Sequence, residues 1–150
     1  MSDDSLYRKD LLRLAADATG AGRLAAPDAV GDAYNPVCGD RVSVEMTIRD
    51  ERVAALAHRT QACVLAQASA GLLAEAAIGM DAPALAALAT SVRNMLKGEA
   101  PPPHPGYAVF DGVAAHPNRH KCVLLPIEAA LAALSAIRKS DSSVDEPDFR

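Results

Sequence analysis

Three cysteines and one aspartate carry most of the chemistry legible in this chain. Cys38 sits in the run Asn35-Pro36-Val37-Cys38-Gly39-Asp40, Cys63 opens a segment of helical character, and Cys122 opens another. Gly39 lets the backbone turn tightly enough for Cys38 and Asp40 to offer a thiolate and a carboxylate to one metal ion. Zinc accepts both ligand types in a tetrahedral shell. Helix N-termini at Cys63 and Cys122 would supply free N–H groups and the positive end of the macrodipole, which favour the thiolate. All three thiols are then expected to be ionised at neutral pH. On spacing alone the signal is modest, because there is no C-x-x-C pair and no zinc-finger pattern. Scattered structural cysteines stand as a competing reading, since free Cys is among the most commonly buried residue types. Asp40, likewise, has a plain alternative as a turn residue ahead of a strand.

The elements that must bring these residues together can be read from pattern. Residues 5–18 place Leu6, Leu11, Leu12, Leu14 and Ala15 at helical spacing before the break at Gly20-Ala21-Gly22. From Arg41 the pattern alternates, with Val42, Val44, Met46 and Ile48 on one side and Ser43, Glu45, Thr47 and Arg49 on the other. That is a half-buried strand. Asp50-Glu51 makes a turn, residues 53–58 return as the second strand of a hairpin, and a further edge strand precedes Pro36. Residues 63–78 form a helix ending at Gly79; a second helix starts at Asp81 as N-cap, with Pro83 in its first turn, and ends near Gly98. Residues 99–106 hold four prolines in eight positions and must be a surface connector. After Cys122, the residues Leu124, Ile127, Leu131 and Leu134 mark a last helix, with Pro126 assigned to its first turn. The tail 140–150 has little to bury and is expected to be disordered.

Composition narrows the function classes. The 150 residues are half apolar, enough to bury one core, but only 3% aromatic with no Trp. A core of Ala, Leu, Val, Ile and Met is expected rather than one of rings. Stacking on nucleobases is a poor expectation, and a net charge of -4 with a pI near 5.5 argues against a basic surface for nucleic acid or anionic lipid. No apolar stretch is read as reaching the roughly 18 residues of a membrane span, and the acidic start is unlike a secretory signal. A cytoplasmic protein is expected. An odd set of cysteines in a reducing compartment points to metal binding or catalysis rather than to disulfides.

Three motifs carry a family resemblance: the run NPVCGD, the segment Ala62-Cys63-Val64-Leu65-Ala66-Gln67-Ala68-Ser69-Ala70, and Pro117-Asn118-Arg119-His120-Lys121-Cys122. Together they resemble the three cysteine motifs of the IscU/NifU-type iron–sulfur assembly family. The closer likeness is to its SufU branch, because the third motif reads R-x-K-C and a proline-rich insertion separates the second and third cysteines. In the IscU branch His stands where this chain has Lys121. The resemblance implies an α/β (α+β) fold over residues 1–139, a small antiparallel three-stranded sheet packed against several helices. It implies zinc held by Cys38, Asp40, Cys63 and Cys122. It further implies a zinc-dependent sulfurtransferase-type role in which Cys38 accepts persulfide sulfur from a SufS-type cysteine desulfurase once a partner histidine replaces it on the metal. The alternative within the same family is a scaffold holding a transient 2Fe–2S cluster for apoprotein acceptors; a purely structural zinc is a third reading. Arg119 falls where the family carries an arginine that assists partner docking, and Lys121 is a second docking candidate. Two departures stand out. Thr60-Gln61-Ala62 replaces the glycines usual before the second cysteine, and residues 18–23 lack the His and Asn-Pro-Arg-Asn segment typical after the first helix. Of the histidines, His58 is expected to end a strand, and His104 and His116 to lie in loops. His120, two positions before Cys122, is the one that could turn toward the metal.

Overall fold

The computed structural model describes residues 8–37 and 39–145, with side chains described as far as residue 137. Helix α1 (Lys9–Asp17) comes first, followed by strands β1 (Ala29–Asn35), β2 (Asp40–Arg49) and β3 (Arg52–Gln61). Helices α2 (Val64–Ala76) and α3 (Ala82–Leu96), two 3-10 segments (Pro105–Ala115 and Pro117–Arg119) and helix α4 (His120–Asp145) complete the chain.

The strands form one antiparallel sheet in the order β1-β2-β3, with Val42 opposite Ala33 on one side and Thr60 on the other. This is the α+β architecture expected from the sequence. Asp50 and Glu51 both sit at positive φ, 54° and 64°, the backbone that a two-residue hairpin turn needs to match strand twist. On the inner face of β2, Val42, Val44 and Met46 are fully buried. Ser43 and Glu45, expected to face outward, are buried as well. Glu45 accepts the backbone N–H of Leu24 at 2.8 Å and pairs with Arg59 at 3.7 Å, so the loop before β1 and a long cation cover it.

Helix α4 lies across β1 and β2 and also meets α2 and α3, which makes it the centre of the fold. A Cβ at Gly31 would collide with the backbone of Ala129 and Ala133, so β1 can approach α4 this closely only because residue 31 has no side chain. The Gly20–Gly22 break is used differently. Its backbone pairs along the outer edge of β3, with His58 N–H donating to the Gly20 carbonyl and Gly22 N–H to the His58 carbonyl, both at 2.9 Å. Asp81 caps α3 as expected, its carboxylate accepting the Ala84 N–H at 2.9 Å.

Four expectations are corrected. Tyr107 and Phe110 are the largest fully buried side chains, so rings do enter the core, delivered with Val113 by the 3-10 segment at a spacing of three residues. Pro126 lies inside α4 rather than in its first turn, because the helix already begins at His120. The segment 117–137 is long and apolar enough, by length and composition, to cross a membrane, and half of its most apolar stretch is buried inside the protein as the core helix. Finally, α4 continues to Asp145, past the start assigned to the tail at Ser140, since no Gly or Pro interrupts residues 127–145. Residues 146–150 lie outside the described residues.

Candidate metal centre

One end of the sheet gathers the predicted ligands from three separate elements. Asp40 is the first residue of β2, Cys63 is the N-cap residue of α2 immediately after β3, and Cys122 lies in the first turn of α4. One ligand atom from each of these three residues lies within 4.8 Å of the other two. Cys122 Sγ is 3.9 Å from Asp40 Oδ2. A tetrahedral shell with metal–sulfur bonds of about 2.3 Å has ligand–ligand edges of about 3.8 Å. Small side-chain rotations therefore suffice to close these donors on one ion. Thiolate and carboxylate together also suit zinc chemically, so the residues present fit the metal the sequence implied. Cys38, the fourth expected ligand, lies outside the described residues.

The chain around Cys38 shows how the turn is built. Asn35 and Asp40 are paired across β1 and β2, leaving a short loop between them. The Asn35 side-chain oxygen accepts the Val37 N–H at 3.2 Å and its carbonyl accepts the Gly39 N–H at 2.8 Å. Gly39 has φ 76°, the left-handed backbone for which glycine was singled out. Val37 is almost wholly exposed at 94%, so the loop tip presents an apolar side chain at the rim.

The cleft is walled by Asn35, Val37, Asn118 and Arg119 together with the three donors. Arg119 acts electrostatically on both thiols. Lys121 is exposed. His120 does not turn toward the thiols: its Nε2 lies 3.1 Å from the Val113 carbonyl and 3.3 Å from that of Ala114, tying α4 to the 3-10 segment. His58 ends no strand. It sits within β3, buried, with Nε2 donating to the Thr19 carbonyl and Nδ1 facing the Thr60 hydroxyl, both at 2.9 Å. Thr60 and Gln61 extend β3, and the Gln67 side chain donates to the Ala62 carbonyl at 2.9 Å, bracing the turn into Cys63.

The two described thiols do not titrate independently. A hydrogen bond from Cys122 holds Cys63 down to about 6; burial opposes this, and the N–H groups of Ala66 and Leu65 and the Arg119 guanidinium assist it. Cys122 is pushed far up by donating that bond, by burial and by the negative charge of Cys63. Full ionisation of both thiols is therefore not the state of the metal-free protein. The pair keeps one proton between two sulfurs, because a second negative charge at contact distance has too little positive charge to offset it.

Neither Asn35 nor Gln67 was singled out in the sequence. Asn before Pro at a strand end was a usable sign for Asn35, as Asn side chains close such turns on their own backbone. Gln67 gave none, since a polar residue four positions into a helix is ordinarily solvated.

Comparisons with known proteins identify the family and the fold. Residues 6–139 match the family described as NifU-like N terminal domain. The chain is 28% identical over 115 residues to the iron–sulfur cluster assembly scaffold protein IscU of Streptococcus pyogenes serotype M1, covering 75% of this chain and 72% of that protein. Its fold superposes with a TM-score of 0.84 on a nitrogen-fixing NifU-like protein (N-terminal) from Brucella abortus, at 33% identity, covering 93% of this chain and 99% of the other. A putative SUF-system scaffold protein from Fervidobacterium islandicum AW-1 shares the fold at 22% identity and TM-score 0.78, over 87% of this chain and 98% of the other. The match over nearly the whole chain, joined to a cysteine–aspartate cleft at one end of the sheet, places this protein in the family of NifU-like N-terminal domains.

Proposed function

We propose that this chain is an iron–sulfur cluster assembly protein of the SufU type, a sulfurtransferase-like acceptor of persulfide sulfur from a cysteine desulfurase. The observation that carries the reading is the convergence of Asp40, Cys63 and Cys122 within 4.8 Å in a cleft beside the loop bearing Cys38. Bound zinc would supply the positive charge that lets several thiolates coexist there.

Each residue then has a task. Asp40, Cys63 and Cys122 hold the ion, and Arg119 adds positive charge at the two thiols. Cys38, as thiolate, attacks the outer sulfur of the donor's persulfide; the donor cysteine leaves as its own thiolate and Cys38 carries the persulfide. Val37, at the exposed rim, and the charged pair Arg119 and Lys121 offer a docking surface to the desulfurase. A reducing compartment, the cytoplasm, keeps such thiols available.

A second reading, the scaffold, is favoured by the same sulfur-rich donor set: thiolates are the usual ligands of 2Fe–2S clusters, here the cargo for apoprotein acceptors. One experiment separates the two. Protein purified without oxygen is assayed for metal and added to its host's desulfurase while alanine release is followed. Colourless protein with one zinc that accelerates turnover, with acceleration lost in Cys38→Ser, is the expected result. A brown preparation carrying iron and labile sulfide, or full acceleration by Cys38→Ser, overturns the transfer reading.

A further inference from the structure

Cys63 and Cys122 open two helices that pack on each other, and the buried face of the first, α2, is apolar but for one residue. Helix α2 packs against α4, and its buried residues, among them Leu65, Ala66, Ala68 and Leu72, are apolar groups that give packing little directionality. One polar group interrupts this. Ser69 has no exposed surface, and its hydroxyl donates to the carbonyl of Val123, the residue after Cys122, at 2.5 Å. This bond falls one residue from a gap in α4's own hydrogen-bond ladder. Pro126 has no N–H, so the Cys122 carbonyl four residues earlier receives no helical hydrogen bond from it. The backbone carrying the Cys122 sulfur is thus fixed from outside its own helix, by a residue of the helix that Cys63 opens.

We propose that Ser69 is the positioning residue of the metal centre, setting the register of α4 against α2 so that the sulfurs of Cys122 and Cys63 stand at ligating distance. The inference rests on the metal-binding reading above. Groups that hold a metal's ligands in place by hydrogen bonds typically account for ten- to a hundredfold in metal affinity.

The test compares Ser69→Ala with Leu85→Ala, a fully buried residue of α3 whose truncation weakens the core without touching the thiols. Zinc affinity is measured by chelator competition, and ligand geometry by the visible and charge-transfer bands of the cobalt-substituted protein. Ser69→Ala is expected to lower zinc affinity about tenfold or more and to shift the cobalt bands. Leu85→Ala should lose at least as much thermal stability while leaving the cobalt bands in place. Ser69→Thr, which keeps the hydroxyl, should recover the parent bands, and it keeps the question answerable should the alanine variant not fold. Parent-like affinity and bands in Ser69→Ala, bands displaced equally by Leu85→Ala, or no recovery with Thr overturns the positioning role alone. A parent protein that takes up neither zinc nor cobalt overturns the metal-binding reading beneath it as well.

Discussion

Replacing Cys122 with Ala in metal-free protein should move the titration of Cys63 from about 6 toward the ordinary thiol value of 9.0. The hydrogen bond from Cys122 is the largest influence holding Cys63 down, whereas the Ala66 and Leu65 N–H groups and Arg119 persist in the variant. Burial, which opposes them and is larger than any one of them, persists as well, so the midpoint rises well above 6. At pH 7 a thiol with a midpoint of 6 is about nine-tenths ionised, and one with a midpoint of 9 about one-hundredth. That is roughly a ninetyfold difference in thiolate. A less basic thiolate is also a weaker nucleophile, with a Brønsted slope of about 0.4–0.5, which over three pH units returns roughly twentyfold. Alkylation rates at pH 7 would then differ by only about fourfold, so the pH profile carries the result. The assay is iodoacetamide labelling from about pH 5 to 10 on a Cys38→Ser background, with the Cys63 peptide quantified by mass spectrometry. A midpoint that stays put when Cys122 is removed, or one already near 9 in the parent, refutes the shared-proton description.

Two further outcomes probe the frame around the site. Gly31→Ala should destabilise the fold by about 3 kcal/mol, the upper range for overpacking, because the new methyl meets rigid backbone at Ala129 and Ala133 rather than a yielding side chain; denaturant unfolding with no more than a marginal loss would contradict that close approach. His58 is pushed below its usual range by burial, so the unfolded chain takes up its proton at a higher pH than the folded one does. Stability is then complete above about pH 6.5 and declines as the pH falls below it, by at most about 1.4 kcal/mol per pH unit for one proton. His58→Gln should flatten that decline between about pH 7 and 5, and an unchanged slope in thermal melts would remove His58 as its source.

Much of the frame was legible because it obeys local rules. Val42, Val44 and Met46 alternate as a half-buried strand should, Asp81 announces a helix start, and Gly39 and the Gly20–Gly22 break sit where the backbone needs them. The gathering of Asp40, Cys63 and Cys122 was legible only from the motifs taken together, since no one cysteine spacing forces a site. Other features depended on contacts that no short window contains. Glu45 is read as surface until Leu24 and Arg59 are seen to cover it. Tyr107, Phe110 and Val113 do repeat every third residue, but the prolines before them signalled a loop and hid a 3-10 face. The sharing of one proton by Cys63 and Cys122 arises only once two chain segments 59 positions apart touch, whereas each helix start considered separately favours ionisation. His120 was drawn toward the metal by proximity in sequence, yet carbonyls of the preceding segment had the better claim on its ring.

The strand of backbone laid along β3 by Gly20 and Gly22 has a bearing on how the protein behaves in crowded solution. Exposed sheet edges are templates on which further chains can add, and this sheet has one of its two rims covered at His58 by its own polypeptide. The remaining rim, β1, is seven residues long and carries the charge of Asp32, and Pro36, directly after it, has no N–H to lend to an incoming strand. Addition of a further strand is hindered at His58 on one flank by that cover and at the end of β1 on the other by Pro36.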